Sequence, residues 1–390
     1  MSKDAKNVPT LRFKGYSDAW EKRKLGELAE FINGRAYKQD ELLASGKYPV
    51  LRVGNFYTND KWYYSNLELP EKYYAEEGDL LYTWSATFGP HIWIGPRVIY
   101  HYHIWKVALK NIFEKDFALQ FFEADRVRLL NSTNGSTMIH VTKKDMESKG
   151  VLLPDVYEQR TIGDLLKRVD HLIAATQDKI GALEQVKETL SKNLFDQSWR
   201  FKEYSTPWKE NKLKDIVSAY SGGTPSANIR TYYGGHIPFI RSAEIHSSTT
   251  ALTLTQEGLK NSSAKLVKTG DILYALYGAN SGDVDRSKIN GAINQAILAM
   301  RPSKENDSNF ILFQLMRMKN KIVSTYLQGG QGNLSGRIIL ALNLDMPEST
   351  SEQRTIGRSL QLLCELISVN QSKYSQLESL KKSLLQNLFV

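Results

Sequence analysis

The sequence predicts an α+β fold: two mixed α/β domains with mainly β cores, separated by two long helices that pair. Three observations predict it. Residues Glu158 to Phe195, EQRTIGDLLKRVDHLIAATQDKIGALEQVKETLSKNLF, return without a gap as Glu352 to Phe389, EQRTIGRSLQLLCELISVNQSKYSQLESLKKSLLQNLF, with roughly half of the positions identical. Both copies place apolar residues on a three-then-four spacing: Leu166, Val169, Ile173, Ile180, Leu183 and Leu190 in the first, Leu360, Leu363, Ile367, Tyr374, Leu377 and Leu384 in the second. The repeat also extends upstream. WEKRKLGELAEFINGRA from Trp20 matches WKENKLKDIVSAYSGGTP from Trp208, and EEGDLLYTWSATFG around Gly78-Asp79 matches KTGDILYALYGANSG around Gly270-Asp271.

The plan is therefore domain, helix, domain, helix, with boundaries at residues 1–155, 156–198, 199–349 and 350–390. Neither long segment contains proline, and each would run about 55 Å at 1.5 Å per residue. An apolar stripe of that length needs a covering partner. The other copy in the same chain is the nearest one, and a dimerisation arm between chains is the alternative. Periodicity leaves the choice, and the direction of pairing, open.

Within each domain the order of elements repeats. A short amphipathic helix is expected at Lys24–Phe31 and at Lys212–Ala219, followed by a glycine loop, Asn33-Gly34 or Ser221-Gly222-Gly223-Thr224-Pro225. Strands follow in YPVLRVGNF from Tyr48 and HIPFIRSAEI from His236, rich in β-branched and aromatic residues. The Gly-Asp pairs are expected to be tight turns launching the strands of GDLLY and GDILY. IYHYHIWKVAL from Ile99 and AINQAILAMRP from Ala292 are expected to be further strands. Helices at Phe117–Leu130 and Phe310–Tyr326, a polar glycine-rich loop, and an exit proline, Pro154 or Pro347, complete each copy.

Composition bounds the function. At 390 residues and 41% hydrophobic, the chain can build two or three cores. Its net charge of +9 lies mostly in the globular parts: residues 1–157 hold 22 basic and 20 acidic side chains, residues 196–350 hold 18 and 13. That suits a polyanionic partner. Cys364 is the only cysteine, which excludes an internal disulfide and a cysteine-based zinc site and fits a reducing compartment. The first residues lack the apolar core of an export signal, and no run approaches about 18 apolar residues, so a cytoplasmic location is expected.

No catalytic constellation is present. The sequence has no Gly-x-x-x-x-Gly-Lys-Ser/Thr loop, no His-Glu-x-x-His and no Gly-x-Ser-x-Gly. It also lacks the Asn/Asp-Pro-Pro-aromatic signature and glycine-rich cofactor loop of a base methyltransferase. Pro154-Asp155 with Glu158 resembles half of a nuclease carboxylate pair but has no lysine in place. His91, His101 and His103 suggest a metal site, yet without nearby carboxylates they are better read as packing. Neither a catalytic nor a metal site is assigned.

Recognition chemistry is better represented. Arg35, Tyr37, Lys38, Arg52, Asn55 and Trp84 in the first copy, and Arg241, Tyr274, Tyr277 and Asn280 in the second, are residue types that reach phosphates and base edges. The loops NSTNGSTMIH, with Ser136, and YLQGGQGNLSGR, with Gln331, Asn333 and Ser335, add small polar side chains and backbone N–H groups. One such residue alone is an ordinary solvated loop. Their weight comes from recurring at corresponding places in both copies.

At this point the chain resembles the specificity subunits of Type I restriction-modification systems. The resemblance is carried by the paired Glu-Gln-Arg-Thr-Ile-Gly helices, Ser-Gly-Gly-Thr-Pro-Ser at 221–226, Ile-Pro-Phe-Ile-Arg at 237–241, the two Gly-Asp strands, Asn-Gln-Ala at 294–296 and Gly-Gly-Gln-Gly-Asn-Leu-Ser at 329–335. It implies that each globular copy is a target recognition domain and that the helices form an antiparallel coiled coil. It adds Thr224 and Ser226 to the candidate DNA contacts. It further implies a subunit with no catalysis or cofactor of its own, reading double-stranded DNA for two modification and two restriction subunits. S-adenosylmethionine, ATP and Mg would belong to those partners. The first copy departs from the second, with Asn33-Gly34-Arg35 for the Gly-Gly-Thr-Pro loop and His-Tyr-His for Asn-Gln-Ala, so the two domains are expected to read different halves of a split site. Two unlike readers on a helical spacer would set a fixed gap in the target, and flipping an adenine out for methylation would deform the duplex. The alternative from another class is a tandem coiled-coil adaptor that binds only protein.

Overall fold

The duplication of sequence is a duplication of fold. The computed structural model describes residues 7–57, 59–85, 87–132, 141–327 and 333–389. Its contacts divide the chain into two compact units, Met1–Asp178 with Gln371–Val390, and Lys179–Asn370.

In the first unit the chain runs β1 (Glu21–Lys24), α1 (Leu25–Leu28), β2 (Ala29–Asn33), β3 (Tyr48–Leu51), β4 (Tyr63–Ser65), β5 (Tyr74–Ala75), β6 (Leu80–Thr83), β7 (Gly89–Ile92), β8 (Val98–Tyr100), β9 (Ile104–Leu109), α2 (Lys115–Ser132), α3 (Lys143–Ser148) and β10 (Gly150–Leu153). Helix α4 (Val156–Phe195) follows and passes into the second unit. That unit repeats the order: β11 (Lys209–Lys212), α5 (Leu213–Ile216), β12 (Val217–Ser221), β13 (Tyr233–Ile240), β14 (Thr253–Leu254), α6 (Gln256–Lys260), β15 (Lys265–Val267), β16 (Ile272–Ala275), β17 (Val284–Arg286), β18 (Gly291–Ile293), β19 (Ile297–Pro302), α7 (Ser308–Leu327), α8 (Gly336–Leu340), β20 (Asn343–Met346) and α9 (Thr350–Leu388).

Each domain is two four-stranded sheets, β2-β9-β6-β7 and β4-β3-β8-β5 in the first, β12-β19-β16-β17 and β14-β13-β18-β15 in the second. One two-stranded ribbon, β1-β10 or β11-β20, closes each. The central strand β6 explains the layering. Leu80 and Tyr82 join the core beneath the helices, whereas Leu81 joins the core between the sheets. Strand β16 does the same, with Ile272 and Tyr274 on one face and Leu273 and Ala275 on the other. A strand covered on both faces is apolar throughout, which is why GDLLY and GDILY show no alternation. The Gly-Asp turn before each strand needs a left-handed residue: Gly78 has φ +88° and Gly270 φ +94°. The aspartate caps the turn, Asp79 accepting from the Glu76 N–H at 2.8 Å and Asp271 from the Lys268 N–H at 2.8 Å.

Three expectations are corrected. The helices expected at Lys24–Phe31 and Lys212–Ala219 are single turns, α1 and α5, that give way to strands β2 and β12. After Leu28 the buried positions are Ala29 and Phe31, a period of two that belongs to a strand. The strand expected from Ile99 is also two strands, β8 and β9, which lie in different sheets. His101-Tyr102-His103 carries the chain between them, as Asn294-Gln295-Ala296 does between β18 and β19. Tyr274, read as a recognition residue, is core: it is fully buried.

The Glu-Gln-Arg motif is a clasp between domain and helix, built twice. Glu158 is 1% exposed and receives two bonds from Arg12, Nε at 2.8 Å and Nη2 at 2.8 Å, and one from Trp20 Nε1 at 3.2 Å. Glu352 is 2% exposed and receives Arg200 Nε at 2.8 Å, Nη2 at 2.9 Å, and Trp208 Nε1 at 3.1 Å. The following glutamine bridges to the loop before the neighbouring helix, Gln159 accepting from Glu114 N–H at 2.8 Å and Gln353 from Asp307 N–H at 2.8 Å. This accounts for the carboxylates that resembled a nuclease pair: Asp155 caps α4 by accepting from the Tyr157 and Glu158 N–H groups, and Glu158 is held by arginine.

The long helices pair antiparallel. In the first unit Leu166, Val169 and Ile173 of α4 share a core with Leu384, Leu385 and Leu388 of α9, flanked by half-buried Tyr374 and Leu377, and Asp170 pairs with Lys381 at 2.6 Å. In the second unit Leu190 and Leu194 of α4 join Ile356, Leu360 and half-buried Cys364 of α9, with Ile367 buried and Ile180, Leu183 and Leu363 half-buried. No helix among the described residues is long and apolar enough to cross a membrane.

Candidate nucleic-acid interface

Strand direction gathers most of the candidate residues at one edge of each domain. In the first unit β2 and β6 end where β9 begins, since Asn33 faces Trp105 and Thr83 faces Ile104. Strands β3 and β8 are parallel and end together, Leu51 beside Tyr100. Loops leaving β2, β3, β6 and β8 therefore emerge around the His101-Tyr102-His103 turn. Its backbone is pinned from every side. His101 N–H donates to Leu51 O at 2.9 Å, Tyr102 N–H to Arg35 O at 3.1 Å, and Trp84 N–H to His103 O at 3.1 Å. Arg35, Tyr37, Arg52 and Trp84 thus surround one turn, with Tyr37 stacked on His101 at 6.5 Å and the Trp84 indole donating to Tyr102 O at 3.0 Å.

The second unit builds the same edge with other side chains. Asn294 N–H donates to Ile240 O at 3.4 Å, Leu276 N–H to Ala296 O at 2.8 Å, and Leu334 N–H to Leu276 O at 3.0 Å. This collects Thr224, Arg241, Tyr277, Asn333 and Ser335 around Asn294-Gln295-Ala296. The Thr224 hydroxyl donates to Gln295 Oε1 at 2.6 Å. Ser335 is spent locally, capping α8 by accepting from Ile338 N–H at 3.2 Å. Asn280 and exposed Ser226 lie further along the same loops, each carbonyl closing a turn, to Asp283 N–H at 2.9 Å and Ile229 N–H at 3.2 Å. Ser136 and Gln331 lie outside the described residues.

The glycine that opens each edge is there for close approach. A Cβ on Gly34 would lie 2.4 Å from Tyr100 O and His101 O, and one on Gly222 only 1.8 Å from Ile293 O. The Gly-Gly-Thr-Pro loop therefore presses its backbone on the β18–β19 turn, which is what brings Thr224 to Gln295.

Charge at these edges is ordered by local pairs. Arg35 grips Glu41 with Nη1 at 2.9 Å and Nη2 at 2.7 Å, and this fork, with the Lys38 N–H, holds the Glu41 carboxyl down at about 2. Arg241 grips Glu244 at 3.1 and 3.2 Å. Arg52, the structural counterpart of Arg241, lies instead over the Tyr63 ring at 4.3 Å. Asn55 is committed to its own loop, accepting from Arg52 N–H at 3.0 Å and donating to Asn59 O at 3.0 Å. Lys38 is exposed. Burial pushes His101 down to about 4, helped by His103 and Arg52, so the His101 ring itself is uncharged at neutral pH. No group of three or more His, Cys, Asp or Glu side chains among the described residues is placed to hold a metal ion.

Tyr102 and Gln295, each exposed at the apex of its turn, entered the sequence reading only within the differing His-Tyr-His and Asn-Gln-Ala segments and were not singled out as contacts, because both segments read as continuous strands. The available signal was the polar interruption of an otherwise apolar run at the same place in both copies.

Comparison with known proteins agrees with this construction. The family described as "Type I restriction modification DNA specificity domain" matches twice, at residues 17–185 and 205–379. The chain is 25% identical over 394 residues to the Type I restriction enzyme MjaVIII specificity subunit of Methanocaldococcus jannaschii, covering 95% of this chain and 92% of that one. It is 22% identical over 178 residues to the EcoBI specificity subunit of Escherichia coli, covering 45% and 37%. Among solved structures, the Type-I restriction-modification system S subunit from M. genitalium superposes with a TM-score of 0.71 at 16% identity, covering 98% and 99% of the two chains. A chain solved in work on assembly of the type I R-M system superposes at 0.53 and 15% identity, covering 94% and 96%. With two copies of the family domain spanning nearly its whole length, this chain belongs to the specificity subunits of Type I restriction-modification systems.

Proposed function

We propose that this chain is a non-catalytic reader of a split, asymmetric DNA target, one half-site per domain, with the long helices setting the gap. The observation that carries the reading is the edge built twice: one set of strand ends and backbone hydrogen bonds holds different side chains in the two domains. A shared scaffold with unlike side chains suits two different half-sites on one uniform duplex. The alternative of an adaptor without DNA affinity has no such use for the edge.

The reader directs two modification subunits and two restriction subunits in the cytoplasm. Those partners hold S-adenosylmethionine, ATP and Mg and do the chemistry. Exposed apolar residues on the helix pair support a docking partner in each unit. Leu172 of α4 and Leu380 of α9 are 49% and 47% exposed in the first, and Val186 and Leu366 are 53% and 41% exposed in the second.

The test is a duplex-selection experiment on the full chain assembled with its modification subunits. Two conserved blocks separated by a fixed gap are expected, with affinity falling steeply as salt rises. Deleting one helical turn from both α4 and α9 should shorten the gap. A single contiguous block, or an unchanged gap, refutes the spacer reading, and salt-independent or absent DNA binding leaves the adaptor.

A further inference from the structure

We propose that the apex of the inter-sheet turn, Tyr102 in the first domain and Gln295 in the second, is a specificity-determining position of each domain. This rests on the DNA-reading function above and assigns which residues in it read bases. Three features of the two edges lead there.

The first is rigidity. Both turns connect strands of different sheets, and the backbone of each is hydrogen-bonded to the ends of both sheets. Sites on such elements are placed more accurately than sites on free loops. The second is exposure: within each turn only the apex residue is exposed, Tyr102 at 37%, with its neighbours half-buried or buried. The third is chemistry that changes on an unchanging backbone. Phosphates are the same in every half-site, so residues serving them can stay the same in both copies, as Arg52 and Arg241 do. Both arginines follow the parallel strand of their sheet, and among the described residues Nη1 of each has no hydrogen-bond partner. Bases differ between half-sites, and residues reading them must differ.

The two apices then read by different means. In the second domain, Thr224 donates to Gln295 Oε1, which orients the amide and leaves its Nε2 hydrogens for an acceptor on a base edge, such as purine N7 or guanine O6. Thr224 is a positioning residue, and it is absent from the first copy together with the glutamine. In the first domain, Tyr102 packs on His103 at 3.9 Å and on Trp84 at 6.1 Å, and offers an aromatic face suited to a thymine methyl or an unstacked base.

The experiment is selection from randomised duplexes by the full chain with its modification subunits, comparing wild type with Gln295→Ala, Thr224→Val, Tyr102→Ala and Arg241→Ala. Gln295→Ala is expected to lose about 5- to 150-fold of discrimination at one base pair of one half-site and to leave the other half-site unchanged. Thr224→Val should loosen the same base pair by less. Tyr102→Ala should act only on the other half-site. Arg241→Ala should weaken binding to all sequences alike and lower the salt slope. If Gln295→Ala and Tyr102→Ala keep the wild-type preference at every position, the proposal is overturned while DNA reading stands. If wild type selects nothing, the reading it rests on fails instead.

Discussion

Removing Arg12 tests the clasp that fastens the first domain to its helix. The Glu158 carboxylate is 1% exposed and its donors are the two Arg12 nitrogens and the Trp20 indole. Arg12→Ala leaves a buried charge with one neutral donor, and breaking a buried pair in this way costs about 3–5 kcal/mol. Arg12 is itself 15% exposed, so water partly replaces it and the lower end, about 3 kcal/mol, is expected. Removing the charge as well should restore much of the loss, because Glu158→Gln still accepts from Trp20. The double variant Arg12→Ala/Glu158→Gln should therefore be about 1.5–3 kcal/mol more stable than additivity allows. Urea unfolding followed by fluorescence should show a midpoint drop of about 1 M for Arg12→Ala. Amide exchange should locate the loss at the start of α4 and the segment before β1. A change below about 0.5 kcal/mol for Arg12→Ala, or a double variant no more stable than Arg12→Ala alone, refutes the reasoning. Arg200→Ala should reproduce the effect in the second unit, where Glu352 has the same three donors.

Three further outcomes are expected. Gly222→Ala should displace the Thr224 loop from the β18–β19 turn, since its Cβ would meet Ile293 O at 1.8 Å; selection with the variant should show blurring of one half-site only. Burial holds both His91 and His101 near 4, so the unfolded chain takes up protons first: stability is complete above the ordinary histidine pKa near 6.5 and falls as pH drops from about 6.5 to 4, by on the order of 2 kcal/mol for His91 and less for the half-exposed His101, whose charge water partly screens. Urea midpoints across that range should fall for wild type and fall less for His101→Gln. Leu172→Asp with Leu380→Asp should leave the circular dichroism and thermal midpoint near wild type, because both side chains are already about half exposed, while weakening co-purification with a modification subunit.

Much of this protein was legible in the chain because it is written twice. The helix pair followed from apolar spacing, and the residues assigned to it are buried or half-buried, whereas Leu172, Val186, Leu366 and Leu380, off that spacing, are exposed. The Gly-Asp turns followed from the need for a left-handed residue before a strand. Short segments were less legible. Leu25 and Leu28 begin a helical pattern that lasts one turn before Ala29 and Phe31 change its period, and so few residues cannot declare either period.

What the sequence determined by itself was local or repeated: a doubled domain, two rods and a net positive charge. What only the tertiary structure decided was which distant residues share an edge. Thr224 and Gln295, or Arg35 and Tyr102, meet because antiparallel strand ends and one parallel pair bring four separate loops to one side, and no periodicity encodes the order of strands in a sheet. The same holds for Glu158 and Glu352, whose role as clasps depends on arginines 146 and 152 positions away that only folding brings near.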